Sequence, residues 1–486
     1  MSSFTTLRSL LAALTVSSAL IVASCGERLQ LIGSAANDGT AGAYDDFTVV
    51  PPHGAYGTPA RTQALIVSTG EQLLRVSESG ATVTLFTAEV GDTITATAAR
   101  GDLVAVGGRR ESSYAVWVAL LDRNGGVLFS LFVEEDYRWL GRLEILDDGT
   151  LMIHLAGAYT SDEMVARTPT GEVHRIEGYF AQGERWESGL VPLQEPYGAG
   201  DGVVLWDART GESHELAFAP TEQTRWSLWR AAASGAIVYL TDFDGDIRLV
   251  AEDLGGARVI DIPDLPELSV TDSHEAGWVL LSAWDQEELV WVDLESGTVR
   301  SGPLVLPEDH SRLYAYGGPY IDSHGALLLG MRDAEVGGLY RSIDGATWER
   351  IGLSVDGILD VGGRDRAGTY VVYATNQRYD YQEWPAQSAA DLSGDSLQLV
   401  RPVDGTAITL PLPSFGYCYG MDSYAGVSAL SPDGRLAALW HETEPGVMAL
   451  LRVDARTGGT ATLLDGFATD AINNSCSGQP RLVWVR

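Results

Sequence analysis

Asp242, Asp244 and Asp246 alternate through Asp242-Phe243-Asp244-Gly245-Asp246, the best carboxylate cluster in the chain. Alternating carboxylates in a tight turn offer hard oxygen ligands, so this stretch is a candidate structural calcium site. Its spacing departs from Asp-x-Asp-x-Asp-Gly and no later bidentate Glu follows, so the alternative is an ordinary Asp-Gly hairpin turn. The eight histidines are scattered, with no His-x-His and no His-Glu-x-x-His, which removes zinc by motif. Asp272-Ser273-His274 and Asp322-Ser323-His324 hold the same place in two adjacent units. They could form a polar or metal patch; the alternative is that Asp and Ser cap local turns. All 32 basic residues are Arg and none is Lys, which excludes Schiff-base chemistry and a P-loop lysine.

Gly416-Tyr417-Cys418-Tyr419-Gly420 has the spacing of a nucleophile elbow with Cys in place of Ser. That device needs a strand before it and a helix after it, and Met421-Asp422-Ser423-Tyr424-Ala425-Gly426 is no helix start. Aromatic side chains cluster instead in an insertion at about 376–395, with Tyr379, Tyr381 and Trp384. Tyr314 and Tyr316 precede it by one unit, and Tyr417 and Tyr419 follow it. Loops on a rigid scaffold often carry binding function, so these residues are a candidate aromatic, acid-rimmed surface for a protein segment or a sugar ring. The alternative is local packing of solvated loops.

The elements that position these residues read as strands. From about Gln63 onward, short apolar or alternating runs are separated by Gly-containing turns, and almost no run keeps helical spacing. One turn class precedes an apolar strand, as in Asp147-Asp148-Gly149-Thr150-Leu151 and Ser234-Gly235-Ala236-Ile237. Its glycines (Gly101, Gly149, Gly189, Gly235, Gly277, Gly325, Gly368) recur every 40 to 50 residues or so, the blade period of a propeller. The step to Gly434 is longer and contains the insertion. A second class recurs as Asp207-Ala208-Arg209-Thr210-Gly211, Asp293-Leu294-Glu295-Ser296-Gly297 and Asp454-Ala455-Arg456-Thr457-Gly458. Two interleaved ladders with one period predict an all-β fold, a single propeller of roughly eight four-stranded blades, with seven to nine possible. The unit at Gly189 is the weakest. Ala64 to Thr87 is one strand short and Arg481 to Arg486 is one strand without a partner, so the last strand is expected to complete the first blade. Trp117, Trp206, Trp291 and Trp440 lie inside strand patterns and read as core.

Two short stretches carry family resemblances. Ser431-Pro432-Asp433-Gly434 before an apolar strand resembles the turn of WD40-like (PD40, TolB-type) propeller repeats. Ser342-Ile343-Asp344-Gly345-Ala346-Thr347-Trp348 resembles the Asp-box of sialidase-type propellers, one residue short between Asp344 and Gly345. The resemblance implies that Asp and Ser/Thr cap a hairpin and that Trp packs between strands; it implies no activity. A Phe/Tyr-Arg-Ile-Pro element and repeated Asp-boxes, which a sialidase would bring, are missing from the sequence.

Before the strands comes an address. Leu10 to Ala23 is an apolar run of signal-peptide length that ends Val22-Ala23-Ser24-Cys25-Gly26. This resembles a bacterial lipobox and implies lipidation of Cys25; Gly26 rather than Asp favours the outer membrane. The organisation expected is a signal peptide over 1–24, lipidated Cys25 with a flexible tether over 25–62, and a propeller over 63–486. Cys418 and Cys476 remain, and in an oxidising compartment they suggest one disulfide, the alternative being two free thiols.

With 66 acidic residues against 32 Arg, the net charge is -34, which repels phosphate backbones and excludes a nucleic-acid partner. The partners expected are the membrane, through the lipid, and an envelope protein or glycan. No cofactor is expected beyond the candidate calcium. The reading leans away from an enzyme; the alternative is a propeller hydrolase of lactonase, phosphoesterase or glycosidase type with an axial metal or carboxylate site.

Overall fold

The computed structural model describes Leu29–Gln30 and most of the chain from Gln63 to Val485. Within that range it leaves out 134–137, 158–161, 181–188, 195–202, 221–229, 232–235, 244, 266–267, 274–276, 284–286, 313–318, 323, 333–336, 356–357, 365–369, 376–395, 402–405, 411–427, 432–434, 445–446 and 469–481. The described residues form strands and turns, and no helix among them is long and apolar enough to cross a membrane.

Hydrogen bonding groups the described strands into eight antiparallel sheets. Five are four-stranded, two are five-stranded, and one of seven strands spans 138–215. Packing divides the seven-stranded sheet in two. Leu146, Met152, Met164 and Ala166 from its first half lie against Val191, Leu193, Trp206 and Ala208 from its second half, so the sheet folds back on itself. The hinge is the strand Val173–Phe180, which finishes the first half and whose Tyr179 and Phe180 pair with Gln194 and Leu193 of the second. The weak unit at Gly189 is therefore a real layer that borrows a strand from its predecessor.

We number the resulting layers of the described strands 1 to 9 in chain order: 64–87, 92–133, 138–180, 190–215, 230–261, 269–303, 311–355, 358–410 and 428–468. Layer 1 is completed by the C-terminal strand Leu482–Val485, whose residues pair with Ala64–Val67, so its edge is covered as the unpaired last strand predicted. Leu29 and Gln30 pair with Val133 and Phe132 on the outer strand of layer 2.

Among the described residues, most neighbouring layers share an apolar core. Layers 1 and 2 meet through Ile66, Ile94 and Trp117, and layers 2 and 3 through Leu131, Leu143 and Ile153. Layers 5 and 6 meet through Leu249 and Val290, and layers 6 and 7 through Trp291 and Leu327. Layer 9 packs on layer 1, where Trp440 and Leu450 contact Leu65 and Trp484. This sandwiching explains the strand patterns. Inner strands such as Ala64–Ser68, Val116–Leu121 and Trp278–Ser282 are buried at every position because neighbours cover both faces. Outer strands such as Thr82–Thr87 and Thr298–Pro303 are mostly exposed. Repeated up-and-down four-stranded layers stacked face to face are the construction of a β-propeller.

A second device locks neighbours together. The turn between third and fourth strands presses its glycine against the fourth strand of the preceding layer. At Gly125 (φ 87°) an added Cβ would lie 2.4 Å from the Leu85 carbonyl oxygen, so no other residue fits without displacing backbone. The same approach puts Gly297 on Arg258, Gly345 on Pro303 and Gly458 on Ile408; it also puts Gly80 of layer 1 on Leu463 of layer 9.

Within every layer, the turns joining strands one to two and three to four share one end, called here the turn end. The connections joining strands two to three, and leading to the next layer, share the other, the loop end. Among the described connections, 304–310 belongs to the loop end.

Candidate functional site

The loop end of layer 3 gathers side chains that a straight strand would separate. Its first strand, Arg138–Ile145, pairs with Leu151–Gly157, and the register shifts between His154 and Leu155. Leu155 faces Leu140 and His154 faces Arg142, so Gly141 is an extra, bulged residue. Trp139 and Arg142 are three positions apart and in an unbroken strand would point to opposite faces. The bulge brings both to the face that also carries His154 and Met152, the face turned toward layer 4. Gly141 is required there: a Cβ would sit 2.5 Å from His154 Nδ1.

On this face His154 Nε2 lies 3.0 Å from Asp162 Oδ2, and the Gly157 N–H donates to Asp162 Oδ1 at 3.0 Å. Both oxygens of Asp162 are thus used to fix the imidazole against the strand end. Arg142 Nη2 is 3.3 Å from Glu144 Oε2. Beside them Trp139 is 47% exposed, whereas Trp117, Trp206, Trp291 and Trp440 are buried in the core as their strand patterns predict.

The opposite face carries a buried ion-pair network. Arg138 donates to Glu163 and, at 3.3 Å, to Glu177, while Arg175 Nη1 stands 3.7 Å from Glu163 Oε1. The side chains of Arg138 and Glu163 are each only 8% exposed. In layer 2 the pattern repeats: Arg110 donates to Asp92 at 2.9 and 3.1 Å and to Glu89 at 2.7 Å. The hydrogen bond to Asp92 is the main cause holding the Arg110 guanidinium above its ordinary pKa, against a smaller opposing effect of burial. Arg109 stacks over the exposed Tyr114, 4.2 Å from the ring centroid. Tyr114 has φ 58°, a left-handed conformation disfavoured for a bulky side chain. The loop end of layers 2 and 3 therefore presents Val90, Tyr114 and Trp139 to solvent.

The turn end is different chemistry. Asp207, Asp293 and Asp454 each accept the N–H two residues on, at 2.9, 3.0 and 2.9 Å, and the glycine four residues on donates to their carbonyls. Thr457 and Arg456 N–H groups, in that order, lower the Asp454 pKa. In the Ser342–Trp348 hairpin, Asp344 accepts from the N–H groups of Thr347 and Ala346 at 2.7 and 2.9 Å, which depresses its pKa strongly. Trp348 Nε1 donates to the Val305 carbonyl, in the connection that follows layer 6, at 2.8 Å. Ser431, 0% exposed, accepts from the Leu436 N–H at 2.8 Å.

The residues singled out in the sequence fare unevenly. Asp242 accepts from the Gly245 N–H at 2.9 Å within a hairpin, and Asp246 lies 3.4 Å from Arg248; Asp244 is outside the described residues. Asp322 caps its turn, accepting from His324 and Ala326 N–H at 2.8 Å, and its second oxygen takes Arg341 Nε at 3.1 Å. Asp272 accepts from the Ile321 N–H of layer 7 at 2.8 Å and so joins layer 6 to layer 7, whereas the partners of Asp322 lie within its own layer. Cys25, Cys418, Cys476, Tyr314, Tyr316, Tyr379, Tyr381, Trp384, Tyr417 and Tyr419 lie outside the described residues. Among the described residues no three His, Cys, Asp or Glu stand close enough to hold a metal ion. The Trp139 cluster was not anticipated; the one sequence signal was a polar His154 inside the apolar run Leu151-Met152-Ile153-His154-Leu155.

No family model and no curated protein matches the chain. Among solved structures, it is similar to a prolyl endopeptidase at 10% identity, covering 75% of this chain and 55% of that one, with a TM-score of 0.38. The chain thus spans about half the length of that enzyme. It is similar to the β-propeller domain of the trilobed protease from Pyrococcus furiosus at 14% identity, over 65% of this chain and 97% of that domain, TM-score 0.33. TolB from Acinetobacter baumannii matches at 14% identity over 58% of this chain and 61% of that one, TM-score 0.24.

Proposed function

We propose that this chain is a lipid-anchored envelope protein whose nine layers close into one β-propeller, and that it works as a binding or scaffold module, gripping an envelope protein or a glycan at its loop end. Closure is supported by the pairing of Leu482–Val485 with Ala64–Val67 and by the core shared between layers 9 and 1. The lipid anchor follows from the Val22-Ala23-Ser24-Cys25 sequence, and a Cys418–Cys476 disulfide would tie the last layer to the closing strand. The observation that carries the binding reading is the loop end of layer 3. An exposed Trp139 shares a strand face with the matched pairs Arg142–Glu144 and His154–Asp162, an arrangement suited to recognition.

The test is affinity capture from detergent-solubilised envelope, with the soluble domain (26–486) as bait. A stoichiometric protein or glycan that co-purifies supports the module. Metal-dependent hydrolysis of a lactone or phosphoester, with nothing captured, would replace it with the hydrolase. Radiolabelled palmitate incorporation lost in Cys25→Ala tests the anchor separately, and retention of label would refute lipidation at that residue.

A further inference from the structure

We propose that Trp139, Arg142, His154 and Asp162 form a subsite for one uncharged sugar ring. This rests on the binding-module reading and names the ligand class.

A half-exposed indole on a strand that is otherwise partly or fully buried offers a flat apolar surface with an electron-rich face. The C–H face of a sugar ring is its natural complement. Next comes what borders the indole. The bulge at Gly141 places Arg142 and His154 on the Trp139 side of the layer, and Asp162 fixes the imidazole from the adjoining strand end. These groups carry donors (guanidinium N–H) and acceptors (carboxylate oxygens, each with a further lone pair) on one face of the layer. A sugar hydroxyl both donates and accepts, so it can bridge such a set, whereas a purely acceptor or purely donor ligand can use only half of it.

Charge then selects among sugars. Arg142 is matched by Glu144 at 3.3 Å and His154 by Asp162 at 3.0 Å, so the set carries no surplus positive charge to hold a carboxylate or phosphate. The chain as a whole carries -34, which further disfavours an anionic ligand. A neutral hexose or N-acetylhexosamine fits both conditions. The bulge supplies the rigidity: any side chain at 141 would meet His154, so the strand is built around the imidazole position.

The experiment is calorimetric titration of the soluble domain with two probes, a tetramer of β-1,4-linked N-acetylglucosamine and a tetramer of α-1,4-linked glucose. Binding of either in the micromolar to millimolar range is expected. Trp139→Ala should weaken it about tenfold and Trp139→Phe by less, as loss of aromatic stacking requires. Asp162→Asn should weaken it as well, while Asp207→Ala, at the turn end, should leave it unchanged. Thermal melts identify any variant that fails to fold, and the half-exposed Trp139 is expected to be replaceable. No binding of either tetramer at millimolar concentration, or equal binding by wild type and Trp139→Ala, overturns the subsite. An envelope protein captured equally by wild type and Trp139→Ala would keep the binding module and remove the sugar.

Discussion

The two ends of the layers solve opposite problems with the same residue types. At the turn end, Asp207, Asp293, Asp344 and Asp454 spend their carboxylates on the backbone of their own hairpins. At the loop end, Asp92, Asp162 and Glu163 spend theirs on arginine, histidine and strand ends. The first use is local and repeats with the sequence period. The second is assembled across strands and takes a different form in layers 2 and 3. Repetition builds the scaffold, and departure from it builds the site.

The comparison can be broken most severely at the loop end. Glu163→Ala removes the partner that neutralises the buried Arg138, and loss of one member of a buried pair costs about 3 to 5 kcal/mol. Chemical denaturation should show that loss; a change near zero would mean that Glu177 suffices for Arg138 and that the network is dispensable. Next in size is Gly141→Ala, where the new methyl meets His154 and overpacking costs about 1 to 3 kcal/mol. It should also displace the imidazole and weaken ligand binding. A variant as stable as wild type, with unchanged binding, would remove the bulge from the account.

The turn end should yield less per residue. Asp207→Ala deletes the acceptor for the Arg209 N–H at 2.9 Å and the Thr210 hydroxyl at 3.1 Å, a loss of about 1 kcal/mol, with ligand binding untouched. Loss of binding in that variant would erase the functional difference between the ends.

Smallest, and spread over many turns, is the response to acid. At Asp148 burial alone would raise the pKa, but the Thr150 N–H and Arg209 together bring it below its ordinary value; Asp344 and Asp454 are lowered by their turn N–H groups. Carboxyls depressed in the folded state contribute stability that is complete above the unfolded pKa of about 4 and is lost as pH falls through their lower folded values. The melting temperature should therefore hold from neutrality to about pH 4 and decline below it. A decline already at pH 6 would point to histidine instead.

These contrasts explain what could be read from the sequence. The Asp-x-x-Thr/Ser-Gly turns were legible because their chemistry lies within five consecutive residues, and the unpaired last strand was legible as an edge needing cover. The layer count was less so. Val173–Phe180 serves two layers, and nothing in its own residues announces that Tyr179 and Phe180 cross to Leu193 and Gln194. The Trp139 cluster was illegible for a sharper reason. Its shared face depends on a one-residue register shift at Gly141, and alternation read from the sequence puts Trp139 and Arg142 on opposite sides.

The most direct test of the account uses both ends at once. Trp139→Ala and Asp207→Ala domains would serve as parallel baits against solubilised envelope, with bound protein and bound sugar quantified. The account predicts that capture falls sharply for Trp139→Ala and equals wild type for Asp207→Ala. Equal capture by both variants, or loss only in Asp207→Ala, would contradict it.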